Sequence, residues 1–226
     1  MYYKTSLKST ISGVEYEQAQ YKGMFRNGKR DGYGKMVWQD GSNFEGIWKN
    51  DLRYSGTMLM TSTGWIYKGK FSNDQCHDKK GMLLLPTMTI YQGEFAQGKT
   101  TPMGLLMYPN GSIYYGQHSQ FIKSGIGKQI EYTGSYQEGS LDGDKMNGDQ
   151  CRVFEITTGE FYSGPIADGK RNGKGRLYDA ERDEVYDGFF EMNKKNGDGM
   201  IYKPDGKVMK GEFRNNYMEG QFENVC

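Results

Sequence analysis

The stretch from Tyr21 to Asn43 reads YKGMFRNGKRDGYGKMVWQDGSN, and it describes one β-hairpin. Tyr21, Gly23 and Phe25 alternate, so in an extended chain they share one face. Asn27-Gly28 supplies two residues that tolerate positive φ, the strongest short-range hairpin signal. A second strand is predicted roughly over Lys35 to Trp38, and Asp40-Gly41 turns the chain again.

The same arrangement recurs down the chain. The pattern aromatic–x–Gly–x–aromatic appears as YKGMF (21–25), FEGIW (44–48), YKGKF (67–71), YQGEF (91–95), YYGQH (114–118), QEGSL (137–141), YSGPI (162–166), YDGFF (186–190) and MKGEF (209–213). The central glycines are Gly23, Gly46, Gly69, Gly93, Gly116, Gly139, Gly164, Gly188 and Gly211, kept in all nine copies at intervals of 23 to 25 residues. A second glycine series precedes the later copies: Gly41, Gly64, Gly111, Gly134, Gly159 and Gly206, broken only at Met88 and Asp183. A period of this length marks a repeat architecture in which each unit stacks on its neighbours.

Hairpins with two-residue turns pair with their sequence neighbours. The expected fold is therefore all-β: an elongated, twisted, single antiparallel meander of consecutive hairpins. Residues 1–20 fit the period poorly and read as an N-terminal capping segment, with a capping strand expected over Gly13 to Ala19. The repeat array fills 21–226, with units starting near 21, 44, 67, 91, 114, 137, 162, 186 and 209, and the last unit, ending at Cys226, lacks most of its second half. At about 4.8 Å per strand, nine units predict a ribbon roughly 80–90 Å long and one cooperative array, not two compact domains. A glycine in a strand interior is unfavourable unless something lies over it. An aromatic ring from a neighbouring strand is expected to cover each one.

Composition supports this reading. Of 226 residues, 33 are Gly, about 15% against a usual 7% or so, while only 5 are Pro, so the glycine excess is neither collagen nor a plain linker. The 18 Tyr, 11 Phe and 3 Trp show that the chain buries surface. The longest aliphatic run is Met82 to Leu85, too short to span a bilayer, and no secretory signal is read at the N-terminus. Cys76, Cys151 and Cys226 are dispersed and odd in number, which predicts a reducing compartment and neither disulfide framework nor zinc site. The 29 Lys+Arg balance 28 Asp+Glu, so no nucleic-acid partner is expected.

On these residues the chain resembles the MORN repeat (membrane occupation and recognition nexus), close to Y-E-G-x-W-x-N-G-K-x-x-G-x-G-x-x-x-x-x-D-G-x. Tyr21, Gly23, Asn27, Gly28, Lys29, Gly32, Gly34, Asp40 and Gly41 match it in place, and the units from Tyr162 and Tyr186 match almost as well. The middle departs from the pattern. The third unit has Asn73-Asp74-Gln75-Cys76-His77, the fourth Thr100-Thr101-Pro102, and the sixth has Gln137 and Leu141 for its aromatics with Asp142, Asp144 and Asp149. These units either bend the ribbon or form a contact surface. MORN arrays occur in lipid kinases, junctional membrane proteins, a histone methyltransferase, radial spoke heads and parasite scaffolds, so the resemblance implies the fold and leaves function to surfaces.

Chemistry is poorly supported by the residues. His118 takes the second aromatic position of its unit and is expected to pack there, and adjacent Cys76 and His77 would face opposite ways in a strand and form no nucleophile–base pair. Gly169-Lys170-Arg171-Asn172-Gly173-Lys174-Gly175 lacks the Ser/Thr and the helix of a phosphate loop. Asn110-Gly111-Ser112 reads as a turn. No catalytic residue, cofactor, metal or small-molecule substrate is expected. Two surfaces are candidates. One is an aromatic groove of Tyr21, Phe25, Phe44, Trp48, Tyr67, Phe71, Tyr91 and Phe95, part of which should stay open because no helix covers the sheet. The other is a basic stripe of Lys29, Arg30, Lys170, Arg171, Lys174, Lys194 and Lys195, although solvated turn lysines are the plainer reading. The expected function is a non-enzymatic scaffold binding proteins in a cytoplasmic, cytoskeletal assembly. The resemblance points to a ciliary, radial-spoke-head-like axonemal setting. The alternative is a peripheral adaptor binding acidic phospholipid through the basic turns.

Overall fold

The computed structural model describes residues 3–5, 9–11, 14–16 and 19–225, with side chains from 19 to 219. The described residues form an all-β structure of consecutive antiparallel hairpins with no helix. The chain divides into two units, Met1–Pro109 and Asn110–Cys226. In the first, the strands Ala19–Arg26, Lys29–Trp38, Asn43–Lys49, Leu52–Met60, Trp65–Ser72, Asp78–Leu84, Ile90–Ala96 and Lys99–Met107 pair in sequence order. In the second, the same meander runs through Ile113–Ser119, Ile122–Ile130, Tyr136–Asp142, Gly148–Glu155, Glu160–Ala167, Gly173–Asp179, Glu184–Glu191, Lys194–Tyr202, Val208–Arg214 and Tyr217–Val225. At the N-terminus, Tyr3–Thr5 lies against the first array strand, with Tyr3 opposite Tyr21, and Ser9–Ile11 pairs with Val14–Tyr16. The expected capping strand at Gly13 to Ala19 falls partly outside the described residues, as does Cys226.

Turn chemistry explains the hairpins. Both central residues have positive φ at Asn27-Gly28 (52° and 78°), Asn50-Asp51 (48° and 72°) and Asn193 with its neighbour Met192 (73° and 49°), the type I′ geometry that matches strand twist. The irregular third unit keeps this turn at Asn73-Asp74 (49° and 60°). A bulge follows at the same place in most units, between Gly23 and Phe25, Gly93 and Phe95, and Gly188 and Phe190. Pro102 sits within the bulge of the fourth unit, out of register with the strand Ile90–Ala96, a position that tolerates a residue without an N–H.

The strand glycines face one another across the ladder. Gly23, Gly34, Gly46, Gly56 and Gly69 stand directly opposite in succession, as do Gly116, Gly127 and Gly139 in the second unit. The cover differs from the expectation. It comes from the same strand, two residues earlier: the Tyr114 ring folds back over both Gly116 and Gly127, and Tyr21 does so over Gly23 and Gly34. With a glycine on each strand, the ring can lie flat along its own strand, and its hydroxyl reaches a backbone carbonyl. Tyr114 Oη donates to the Gln117 carbonyl at 2.6 Å and Tyr67 Oη to that of Lys70 at 2.9 Å.

Candidate functional site: the two faces of the repeat

The inner face is closed by its own rings. Tyr21, Phe44, Trp48, Tyr67, Phe71, Tyr91 and Phe95 are all buried, and only Phe25, at 48% exposure, meets solvent. In the second, third, fourth, eighth and ninth repeats the second ring packs edge-to-face on the first ring of the repeat before it. Trp48 meets Tyr21 at 5.5 Å, Phe71 meets Phe44 at 5.3 Å and Phe95 meets Tyr67 at 4.8 Å between centroids. In the second unit Phe190 meets Tyr162 at 5.3 Å and Phe213 meets Tyr186 at 4.9 Å. Of the eight candidate groove residues, seven are thus closed to solvent and Phe25 stays open. T-shaped rings tile the face without needing a helical lid.

The basic stripe divides by strand alternation. Lys29, Lys170, Lys174 and Lys194 are exposed, whereas Arg30, Arg171 and Lys195 turn inward and are half-buried. The inward cations lie over the rings: Arg30 is 4.4 Å from the Trp48 ring centroid, and the Lys195 ammonium 4.9 Å from that of Tyr186. Burial lowers the Lys195 pKa from its ordinary value. The equivalent Arg53, 7% exposed, was not foreseen as a site residue. It donates its backbone N–H and Nε to Asp74 Oδ1 at 2.9 and 3.0 Å, and Nη2 to the Asp74 carbonyl at 2.7 Å. Arg30 clamps Asp51 of the next turn in the same way. In the second unit Asn193 and Asn216 replace the aspartate, accepting the N–H groups of Arg171 and Lys195 at 2.7 and 2.8 Å. These inward cations stitch each turn to the next repeat.

The sixth repeat compensates for its missing rings. Cys151, 1% exposed, and Met146 fill the space beside Gly139 that a tyrosine covers elsewhere. Burial pushes the Cys151 thiol pKa up, and that of Cys76 up to about 11, so both remain neutral thiols. The compensation is incomplete one repeat on. Val153, Glu155, Glu160, Tyr162, Ile166, Gly169, Arg171 and Asn193 line a hollow of about 190 Å³. Arg171 Nη2 donates to Glu160 Oε2 at 3.1 Å across one wall, and its guanidinium lies 5.7 and 5.8 Å from the Tyr162 and Phe190 centroids. The buried Nη1 has no hydrogen-bond partner among the described residues.

The outer face is mostly a charge ladder. Lys35 pairs with Glu45 at 3.1 Å, Lys128 with Glu138 at 3.0 Å, and Arg176 with Asp187 at 3.1 Å. The fifth repeat keeps Lys128 in that ladder but sets Tyr115 directly opposite it. Ile113 stands directly opposite Ile130, which stands opposite Tyr136, while Ile126 lies on the far side of Lys128 along the same strand. Tyr115, Ile126 and Ile130 are 56%, 70% and 52% exposed. Exposed apolar side chains gathered around one ion pair in this way mark a candidate interaction site. A signal was present in the sequence. The residue after the first ring reads Lys22, Glu45, Lys68, Gln92, Tyr115, Glu138, Ser163, Asp187 and Lys210, and Tyr115 alone is aromatic.

Among the described residues, no group of three or more His, Cys, Asp or Glu side chains is placed to hold a metal ion. They contain no helix long and apolar enough to cross a membrane. His118 is buried and stacks on Phe121 at 5.7 Å.

The MORN repeat family matches residues 21–43, 91–113, 159–183, 186–208 and 210–221. No curated protein matches the chain in sequence. Among solved structures, a point mutant of the TCP10 domain of Danio rerio CPAP is similar in fold, with TM-score 0.52 and 9% identity over 92% of this chain and 95% of that one. The wild-type TCP10 domain of Danio rerio CPAP, in complex with a peptide of Danio rerio STIL, gives TM-score 0.47 and 12% identity over 86% and 84%. The SAS-4 (dCPAP) TCP domain of Drosophila melanogaster, in complex with a proline-rich motif of Ana2 (dSTIL), gives 0.42 and 12% over 80% and 90%.

Proposed function

This chain is a MORN-repeat protein, and from that premise we propose that it is a non-enzymatic scaffold holding protein partners within a cytoskeletal assembly. The observation that carries the reading is the exposed apolar group on the outer face of the fifth repeat, where Ile113, Tyr115, Ile126 and Ile130 surround the Lys128–Glu138 pair. The inner rings and cations are occupied with one another, so an outer surface is the natural place for a partner. A ciliary axoneme, with this chain in the manner of a radial-spoke-head subunit, is the setting we assign. Affinity purification from ciliated cells tests it. Axonemal proteins should co-purify with the wild type and be lost from the Ile126→Glu/Ile130→Glu variant. An unchanged set of proteins, or a set free of axonemal components, contradicts the reading.

A further inference from the structure

We propose that the hollow in the seventh repeat receives an aromatic side chain from a protein partner, flanked in that partner by a basic residue. The proposal rests on the scaffold reading but concerns the inner face, a different surface from the outer patch. The hollow has a cause in the repeat. Ile166 stands where Phe71, Phe95 and Phe190 stand in other repeats, and Val153 stands where Met36, Leu83 and Leu177 stand. Both replacements are smaller, and the sixth repeat supplies Gln137 in place of the ring that would lie beneath. The ladder of edge-to-face contacts therefore lapses here and resumes with Tyr162 and Phe190 at 5.3 Å.

The dimensions suit a ring. An apolar hollow of about 150 Å³ accepts benzene, and this one measures about 190 Å³. Its floor is apolar: Tyr162 and Ile166 are buried and Val153 is half-buried. Its rim is open to solvent at Gly169 and Asn193, so a guest can enter without unfolding the sheet. A ring seated there would meet Tyr162 as the second ring of a repeat meets the first ring of its own repeat, the way Phe71 meets Tyr67 at 5.1 Å.

Charge selects the guest's neighbour. Two carboxylates, Glu155 and Glu160, line the hollow against one cation, Arg171, which is already paired with Glu160 and lies over two rings. A hydrogen bond from the Ser135 hydroxyl, at 2.6 Å, holds the Glu155 carboxyl below the ordinary carboxylate range, so it is ionised at neutral pH. Among the side chains that line the hollow, carboxylates outnumber cations two to one beside an apolar floor, which complements a ring next to an ammonium or guanidinium.

Phenethylammonium, titrated into the full chain and followed by methyl NMR, is the test. The Val153 and Ile166 methyls should shift saturably, with an affinity on the order of millimolar, while butylammonium, which has the charge but no ring, should leave them unmoved. Glu155→Gln should weaken the binding about threefold. Ile166→Phe fills the hollow from within. It should abolish the shifts and raise the melting temperature by packing a ring against Tyr162. If that variant fails to fold, Val153→Met should abolish the shifts instead. Absence of a saturable shift in the wild type, or equal binding by butylammonium, overturns the proposal. So do shifts that persist in a folded, filled variant. Ile166→Phe leaves the outer face untouched and Ile126→Glu/Ile130→Glu leaves the hollow untouched. Failure of this proposal and failure of the scaffold reading are therefore read separately.

Discussion

A methyl group added at Gly116 would sit 2.5 Å from the Gly127 Cα and would overlap the Tyr114 hydroxyl. Neither neighbour can yield. One is backbone on the paired strand, and the other is held by its hydrogen bond to the Gln117 carbonyl. Gly116→Ala should therefore cost about 1–3 kcal/mol, read as a lower urea midpoint with unchanged slope. The same residue environment predicts a pH dependence. Burial raises the Tyr162 and Tyr186 phenol pKa to about 12 from 10.0. Above pH 10 the unfolded chain releases protons that the folded chain keeps. Stability is then full below pH 10 and falls as pH rises toward 12. Urea unfolding across that range, with tyrosinate absorbance followed in the native state, checks the sign. A stability that stays level from pH 10 to 12 would contradict it. The glycines and rings were the most legible residues in the sequence, because nine repetitions of one spacing leave little freedom in where they point. That the covering ring would come from its own strand was not legible, because alternation places Tyr114 and Gly116 on one face without saying which way the ring leans.

At the scale of the element, the hairpin is held at its tip as well as along its strands. Asp74 accepts from the Arg53 backbone and guanidinium, and a nearly buried cation depends on it. Asp74→Ala should cost about 2 kcal/mol, and Asp74→Asn roughly 1 kcal/mol because it retains an acceptor, as Asn193 and Asn216 already do in other repeats. Thermal unfolding of the two variants side by side gives the ranking; equal losses would show that the clamp is incidental. The turns at Asn27-Gly28 and Asp168-Gly169 were readable from residue type. Those at Gln120-Phe121 and Met192-Asn193 were not, since Phe and Met carry no preference for positive φ. A neighbouring repeat holds the second of these turns, where the Asn193 N–H donates to the Arg171 carbonyl at 3.0 Å, and at the first the Phe121 N–H donates to His118 Nδ1 at 3.4 Å. The basic stripe was half legible for a related reason. Lys29 and Arg30 are adjacent in sequence and opposite in space.

At the scale of the whole molecule, each unit spends its repeated residues on holding itself together, and specificity falls to positions where one repeat departs from the rest. The sixth and seventh repeats show this inside the sheet, with Cys151 replacing a ring and Ile166 leaving a hollow. The fifth shows it outside, with Tyr115 where other repeats carry polar residues. These departures are hard to read beforehand because the period identifies a position without saying whether a replacement repairs the packing or opens a surface. Substituting outward Ile126 and Ile130 with glutamate touches no core contact and should leave the unfolding free energy within about 0.5 kcal/mol of the wild type. Quantitative co-purification of protein partners with that double variant, against wild type at matched expression, tests the central claim most directly. The account predicts a folded protein of unchanged melting temperature that loses its partners. A folded variant that retains the full set would contradict it.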